Sequence, residues 1–226
     1  MSNSTVKQLT MSYYPQLDNM NLEDVSNFLE QEEEKHHIKC RNWVEKFHFH
    51  PLTAFTIAYS DKYIYVDFYV RGNYLRAVNY TNNSPVAEDS CVEFFLSVPG
   101  SKEYWNFEFN CIGTVNASHR ETRENPTRLT DQEISLIKRY ASCGTRPFEE
   151  MEGNFSWNLI VAIPFSLIGI DCNNIPNMIR GNFYKCGSKT SAPHLLSWSP
   201  IIYPKPDFHR PEFFGELFFS DGQASI

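Results

Sequence analysis

The chain has 226 residues, 42% hydrophobic and 21% charged, with 15% aromatics. That length suits one domain with a sizeable core, and the aromatic share favours strands. Twenty Lys and Arg against 27 Asp and Glu leave a net charge of −7, which argues against a general basic face for nucleic acid. No apolar run approaches the roughly 18–20 residues that span a bilayer, so neither nucleic acid nor membrane is expected as a partner. Met1–Met20 has no basic start, apolar stretch or small-residue cleavage site, and a cytoplasmic location is expected on that ground.

Residues 1–38 read as a polar arm followed by a short helix packed on a domain of residues 39–226. Leu22, Val25, Phe28 and Leu29 recur at helical spacing, with the acidic run Glu30–Glu34 on the solvated face. Alternation then takes over. Segments 53–60 and 63–70 are two strands joined at Asp61-Lys62; in the second, Ile64, Val66, Phe68 and Val70 oppose Tyr63, Tyr65, Asp67 and Tyr69. Segment 91–98 sets Val92, Phe94, Leu96 and Val98 against Glu93. In 104–111, Trp105, Phe107, Phe109 and Cys111 oppose Tyr104, Asn106, Glu108 and Asn110. A strand with one fully polar face predicts a sheet surface that stays wet.

Thr130 and Glu133 form a capping box, with Ile134, Ile137 and Tyr140 as the helical stripe behind it. Strands are expected at 155–163, 178–186, 195–199 and 213–220. The loop 200–212 carries four prolines and should be stiff. Many strands and few helices predict an all-β fold, a two-sheet antiparallel β-sandwich or jelly roll.

Nucleophile elbow, phosphate loop, zinc-protease helix and dinucleotide turn are all missing from the sequence. Glu93 and Glu108 would project from neighbouring strands, a geometry open to a glycosidase pair. His36-His37 and His48-Phe-His50 look metal-like, yet neither has a third ligand close in sequence. The six cysteines are scattered without a C-x-x-C pair, which predicts free thiols packed as small hydrophobes and no zinc site. Asn79 and Asn116 head formal glycosylation acceptors. The last third is the most telling. Arg180, Asn182 and Tyr184 alternate with Ile179, Gly181 and Phe183, giving a second polar face, followed by His194, Trp198, Phe208, His209 and Arg210. Flat rings beside carboxylate, amide and guanidinium groups suit sugars, whose C–H faces stack while their hydroxyls hydrogen-bond.

Ordered motifs over about residues 40–220 carry a resemblance. They are Asn42-Trp43, the Tyr63–Val66 strand, Glu88–Phe95, Tyr104–Asn110 with Gly113, Trp157 with Ile163-Pro164, Ser197–Ser199 and Pro211–Gly215. Together they resemble the family 9 carbohydrate-binding modules of the DOMON-like β-sandwich group. NFYKCG, PHLLSWSP and FHRPEFFG are similar to a branch of that family common in Bacteroidetes. The resemblance implies two antiparallel sheets and binding of glucan or xylan reducing ends between two tryptophans. Carried over singly, Glu93 matches a glutamate of that site and Phe208 takes one clamp position. Val86 stands at the other clamp, and Glu108 and Tyr184 replace an Arg and a Gln.

The expectation is a non-catalytic saccharide-binding domain with a site of Glu93, Glu108, Asn110, Arg180, Asn182 and Tyr184. Trp198, Phe208, His209 and Arg210 form its expected rim. No cofactor is expected, with a structural calcium left open. The alternatives are a sugar-processing enzyme using Glu93 and Glu108, helped by His194 or His209, and a haem-binding relative using Met178.

Overall fold

The computed structural model describes residues 6–220. β1 (Gln8–Tyr13), α1 (Leu22–Glu32) and β2 (His36–His37) come first. β3 (Leu52–Tyr59), β4 (Tyr63–Ala77), β5 (Cys91–Ser97), β6 (Tyr104–Asn110) and β7 (Val115–Arg120) follow. After β8 (Thr127–Arg128), α2 (Asp131–Ser135), β9 (Lys138–Ala141) and β10 (Phe148–Pro164) come β11 (Met178–Gly187), β12 (His194–Ser197) and β13 (Gly215–Phe219). No helix among the described residues is long and apolar enough to cross a membrane.

The strands form an all-β sandwich. One layer runs β8-β7-β6-β5-β11-β13, with β12 sharing the edge of β11, and the other runs β3-β4-β10-β9 with β2 on β3. Neighbours within each layer are antiparallel, as expected. β1 differs: it lies parallel to β13 at Gln8–Met11 and parallel to β3 at Ser12–Tyr13. The amino-terminal segment read as an arm therefore splices the two layers into one curled sheet. Its residues Leu9 and Met11 are buried in the common core, so this strand is built into the domain.

Phe183 is the centre of that core. Its ring stacks on Phe94 at 4.5 Å and on Phe55 at 3.7 Å, while Trp198 meets it edge-on at 5.7 Å. These contacts come from both layers and follow from the alternation of each strand. Trp198 is only 1% exposed. Its expected place on a saccharide rim is corrected by this: the ring faces inward between the sheets.

The outer face of the second layer is covered by α1. Asn21 caps the helix, its side-chain oxygen accepting from the Asp24 amide at 3.0 Å. Val25 and Leu29 then pack on Ala58, Tyr65, Ile160 and Ala162. On this face Ser26 donates to the buried Asp67 carboxylate, whose pKa burial raises to about 6. The capping box of Thr130 and Glu133 is formed, but the helix ends at Ser135. Ile137 is still buried, whereas Tyr140 falls in β9. The stripe read as one helix is thus a single turn that runs into a strand.

Gly215 lies opposite Gly181 in the register of β13 and β11. A Cβ there would sit 2.6 Å from the Lys7 carbonyl oxygen and closer still to the Trp198 ring. Gly215→Ala should therefore lower stability by about 2–3 kcal/mol, read as an earlier midpoint in urea unfolding with the slope unchanged.

Candidate functional site

β5, β6 and β11 present a polar outer face, as the alternation predicts. Cys91, Glu93 and Phe95 come from β5; Tyr104, Asn106, Glu108 and Asn110 from β6; Arg180, Asn182, Tyr184 and Cys186 from β11. The expectation that this face is wet is corrected. Asn106, Asn110 and Asn182 are fully buried, and Glu93 and Glu108 are 3% and 7% exposed. The cause is the loop 200–212, which folds back with Trp43 to cover the face. Trp43, Phe95, Tyr104, Tyr184, Ile201, Phe208 and Phe214 make a second apolar cluster there.

Specific bonds hold this roof. Trp43 donates its indole N–H to the Tyr203 carbonyl at 2.7 Å, and Asn42 accepts from the Ile201 amide at 2.9 Å. Tyr184 stacks under Phe208 at 4.1 Å and donates its hydroxyl to the Phe208 carbonyl at 3.1 Å. Asp207 pairs with Arg123 at 2.8 Å and with Arg210 at 2.9 Å, and accepts from the His209 amide at 3.0 Å. Arg210 lies 3.4 Å over the Tyr203 ring.

A pocket of about 240 Å³ remains beside the roof. Glu93, Glu108 and Cys186 are at its floor, Phe95, Phe208 and Leu195 supply apolar wall, and Arg123, Asp207 and His209 border it. Four of the ten expected residues line it: Glu93, Glu108, Phe208 and His209. Tyr184 supports it from below, and Arg210 acts through Asp207. Three others have separate structural work, which corrects their place in the site. Asn110 binds the Asn79 carbonyl and Asp89 at 2.7 and 2.9 Å, tying down a turn. Asn182 accepts from the Ser199 amide at 2.8 Å and donates to the Ser199 carbonyl at 3.1 Å. Arg180 donates to the Phe214 carbonyl at 2.9 Å.

Asp207, Arg123 and Cys186 were missed. Asp207 stands three residues before Arg210 on the proline-rich loop, a spacing that could have suggested an ion pair. Arg123 lies in a stretch without periodicity and gave no signal. A larger cavity of about 540 Å³ opens on the other layer beside α1, between Ser26, Leu52, Tyr69 and Trp157. It holds none of the expected residues and lacks the paired acids.

Burial pushes the Glu93 carboxyl well above the usual carboxylate range, and the Cys186 thiol and Glu108 push the same way. Burial also raises Glu108, opposed by Asn116, Arg120 and Asn106. Asn106 and Asn116 donate to its two oxygens at 2.9 and 3.0 Å. Glu93 and Glu108 are directly opposed in register, and each Glu108 oxygen thus accepts one amide hydrogen bond. His209 is pushed down to about 3 by burial, with Arg120 and Arg123 adding to the effect. It is a neutral ring, with Nδ1 3.0 Å from the Tyr104 hydroxyl.

His194 lies on the opposite side of the sheet. Its Nε2 accepts from the Lys185 ammonium at 3.0 Å and its Nδ1 donates to the Ala192 carbonyl at 2.9 Å. It cannot assist Glu93. Met178 is eight residues up the same strand from Cys186, far from the pocket. Cys91, Glu93 and Cys186 place three possible metal-ligand atoms within 4.8 Å of one another, the one such group among the described residues. The two histidine pairs form no such group: His36 packs on Phe55 at 5.3 Å and His50 Nδ1 sits 3.0 Å from the His48 carbonyl.

The family model described as carbohydrate-binding family 9 matches residues 23–219. A Bacteroides uniformis protein, provisionally described as carbohydrate-binding, has a crystal structure with a TM-score of 0.88 to this one. The two are 34% identical, over 96% of this chain and 100% of that one. A family 9 module from Caldicellulosiruptor kristjanssonii in complex with glucose gives a TM-score of 0.56 at 14% identity, covering 97% of this chain and 98% of that one. Its cellotriose complex gives 0.55, again at 14%, covering 97% and 96%; at that identity the likeness is one of fold. No curated protein matches the chain. With the family pattern running over nearly its whole length, the chain belongs to carbohydrate-binding family 9.

Proposed function

We propose that this protein is a non-catalytic saccharide-binding domain whose pocket takes one sugar residue, free or at the end of a chain. The observation that carries this reading is the convergence of Glu93, Glu108, Arg123, Asp207 and His209 on one pocket with the rings of Phe95 and Phe208. Family membership, and the glucose and cellotriose held by the Caldicellulosiruptor kristjanssonii module, point the same way. Hydroxyl groups need donors and acceptors at fixed angles, and the C–H faces of a pyranose need flat apolar surface. At about 240 Å³ the pocket falls just below the roughly 300–1,000 Å³ of drug-sized sites. That scale suits one ring rather than a stretch of polymer laid along a groove.

Binding without turnover is supported by the state of the acids. Hydrolysis needs one carboxyl free to give a proton and another free to act as base or nucleophile. Glu108 has both oxygens held by amides, and Glu93 accepts from the Cys186 thiol at 2.9 Å. Hydrogen bonds of this kind hold the acids in fixed positions, which suits orienting the hydroxyls of a bound sugar.

Calorimetry against a panel of mono- and oligosaccharides should give dissociation constants of about millimolar to micromolar, roughly −4 to −8 kcal/mol. Phe208→Ala should weaken binding by about tenfold or more, ~1.4 kcal/mol. Arg180→Ala, which alters a bond to the Phe214 carbonyl outside the pocket, should leave it unchanged. Silence across the panel from folded protein would remove the reading.

The pH dependence of stability tests the electrostatics. A carboxyl raised in the folded state binds more protons there than in the unfolded chain, so its contribution is complete below the ordinary carboxylate pKa and is lost as pH rises through the folded value. Glu93→Gln cannot ionise. Unfolding measured from about pH 5 to about pH 8 should therefore show the variant gaining stability on the wild type as pH rises. Parallel curves would mean that Glu93 is not held protonated by its burial.

A further inference from the structure

We infer that Cys91, Cys186 and Glu93 form a binding site for a thiophilic divalent cation of the zinc class at the floor of the pocket. The inference goes beyond saccharide binding and does not depend on it. Cys91 and Glu93 are two apart on β5 and share one face. Cys186 is the direct register partner of Cys91 on β11. Three ligands thus come from two adjacent interior strands, a rigid placement of the kind metal sites use.

The distances are close to those of a tetrahedral site. Ligands at usual zinc bond lengths stand about 3.8 Å apart for two sulfurs and about 3.6 Å apart for sulfur and oxygen. Here Glu93 Oε1 lies 2.9 Å from Cys186 Sγ and 3.9 Å from Cys91 Sγ, and all three atoms fall within 4.8 Å. Shifts of about 1 Å or less bring them onto one ion. Glu93 and Cys186 also line the pocket, so the ion has a way in and an open coordination position for water.

Charge points the same way. Three groups that become anionic on losing a proton meet in a buried spot, and the Lys185 ammonium acts on all three only from the far face of the sheet, without bonding to any of them. Lys185, next in sequence, turns to the other face and binds the Cys186 carbonyl and His194 at 2.7 and 3.0 Å. Arg123 is engaged by Asp207 and Arg120 by Ser118. A thiophilic cation supplies the missing charge; calcium and magnesium, which prefer oxygen, do not suit two sulfurs. Binding displaces the protons of both thiols and of the carboxyl to solvent, so affinity rises with pH. A carboxylate has two oxygens, so metal on one leaves the other for a hydroxyl.

The test is a cobalt titration of reduced, metal-stripped full-length protein without any sugar. One equivalent of cobalt should bring up a thiolate-to-cobalt charge-transfer band in the near ultraviolet and tetrahedral bands in the visible. Zinc should displace both. Cys91→Ser and Cys186→Ser should each weaken cobalt binding at least about 100-fold, since even outer-shell changes cost up to that much. Cys143→Ser, which alters a thiol outside the trio, should leave the spectrum unchanged. A folded wild-type protein with six free, titratable thiols and no charge-transfer band under excess cobalt overturns the inference. So does a band that survives in both serine variants. Because no saccharide enters the measurement, failure of sugar binding cannot be mistaken for either result.

Discussion

Asp207 ties the loop that covers the outer face of the first layer to a distant part of that layer. Its carboxylate is nearly buried and takes charge from Arg123 on one side and Arg210 on the other. Arg123 belongs to the segment after β7 and Arg210 to the loop 200–212. The pairing therefore fastens a stiff loop to a distant part of the same layer. The anchor adds to the stacking of Phe208 on Tyr184 and to the bonds from Trp43 and Asn42 in offsetting the conformational cost of thirteen ordered residues. With its carboxylate nearly buried, leaving Asp207 unpartnered would be costly. The loop's prolines lower the freedom lost on ordering, so chemistry and stiffness act together.

The architecture was legible because alternation of period two leaves few options. Phe94 and Phe107 had to share an interior with Phe68 and Phe183, and their burial follows. The capping box at Thr130 and Glu133 was equally readable, since it depends only on neighbours in sequence. β1 was not. Gln8–Tyr13 is too polar to stand out, and it becomes a strand because two open edges lie on either side of it. Such an element is dictated by tertiary context, which a local pattern does not contain.

The candidate site was half legible for a related reason. Alternation shows which residues share a face, and it placed Glu93, Glu108 and Tyr184 together correctly. It does not show what lies on top. A polar face can meet water or a polar roof, and both give the same alternation. Asn182 and Asn110 illustrate the second case: each amide satisfies backbone groups that the covering loop and turn would otherwise leave unpaired. Trp198 illustrates the converse, an aromatic that looked suited to a sugar and is needed between the sheets.

The cysteine trio shows most plainly how strand register creates chemistry that spacing hides. Metal motifs are recognised when their ligands fall on one turn or helix, within a few residues. Cys91 and Cys186 are far apart along the chain, and only the pairing of β5 with β11 sets them opposite each other. The same register puts Tyr184 opposite Glu93 and, through β6, Glu108 beside it. One alignment of three strands thus fixes the acids that face the pocket, the ring beneath Phe208 and the thiols under the floor. A slip of one residue would turn all of them into the core and bring Lys185 and Phe183 outward. Pocket, roof and thiol cluster therefore stand or fall with the packing of Phe183 on Phe94 and Phe55, which holds that register in place.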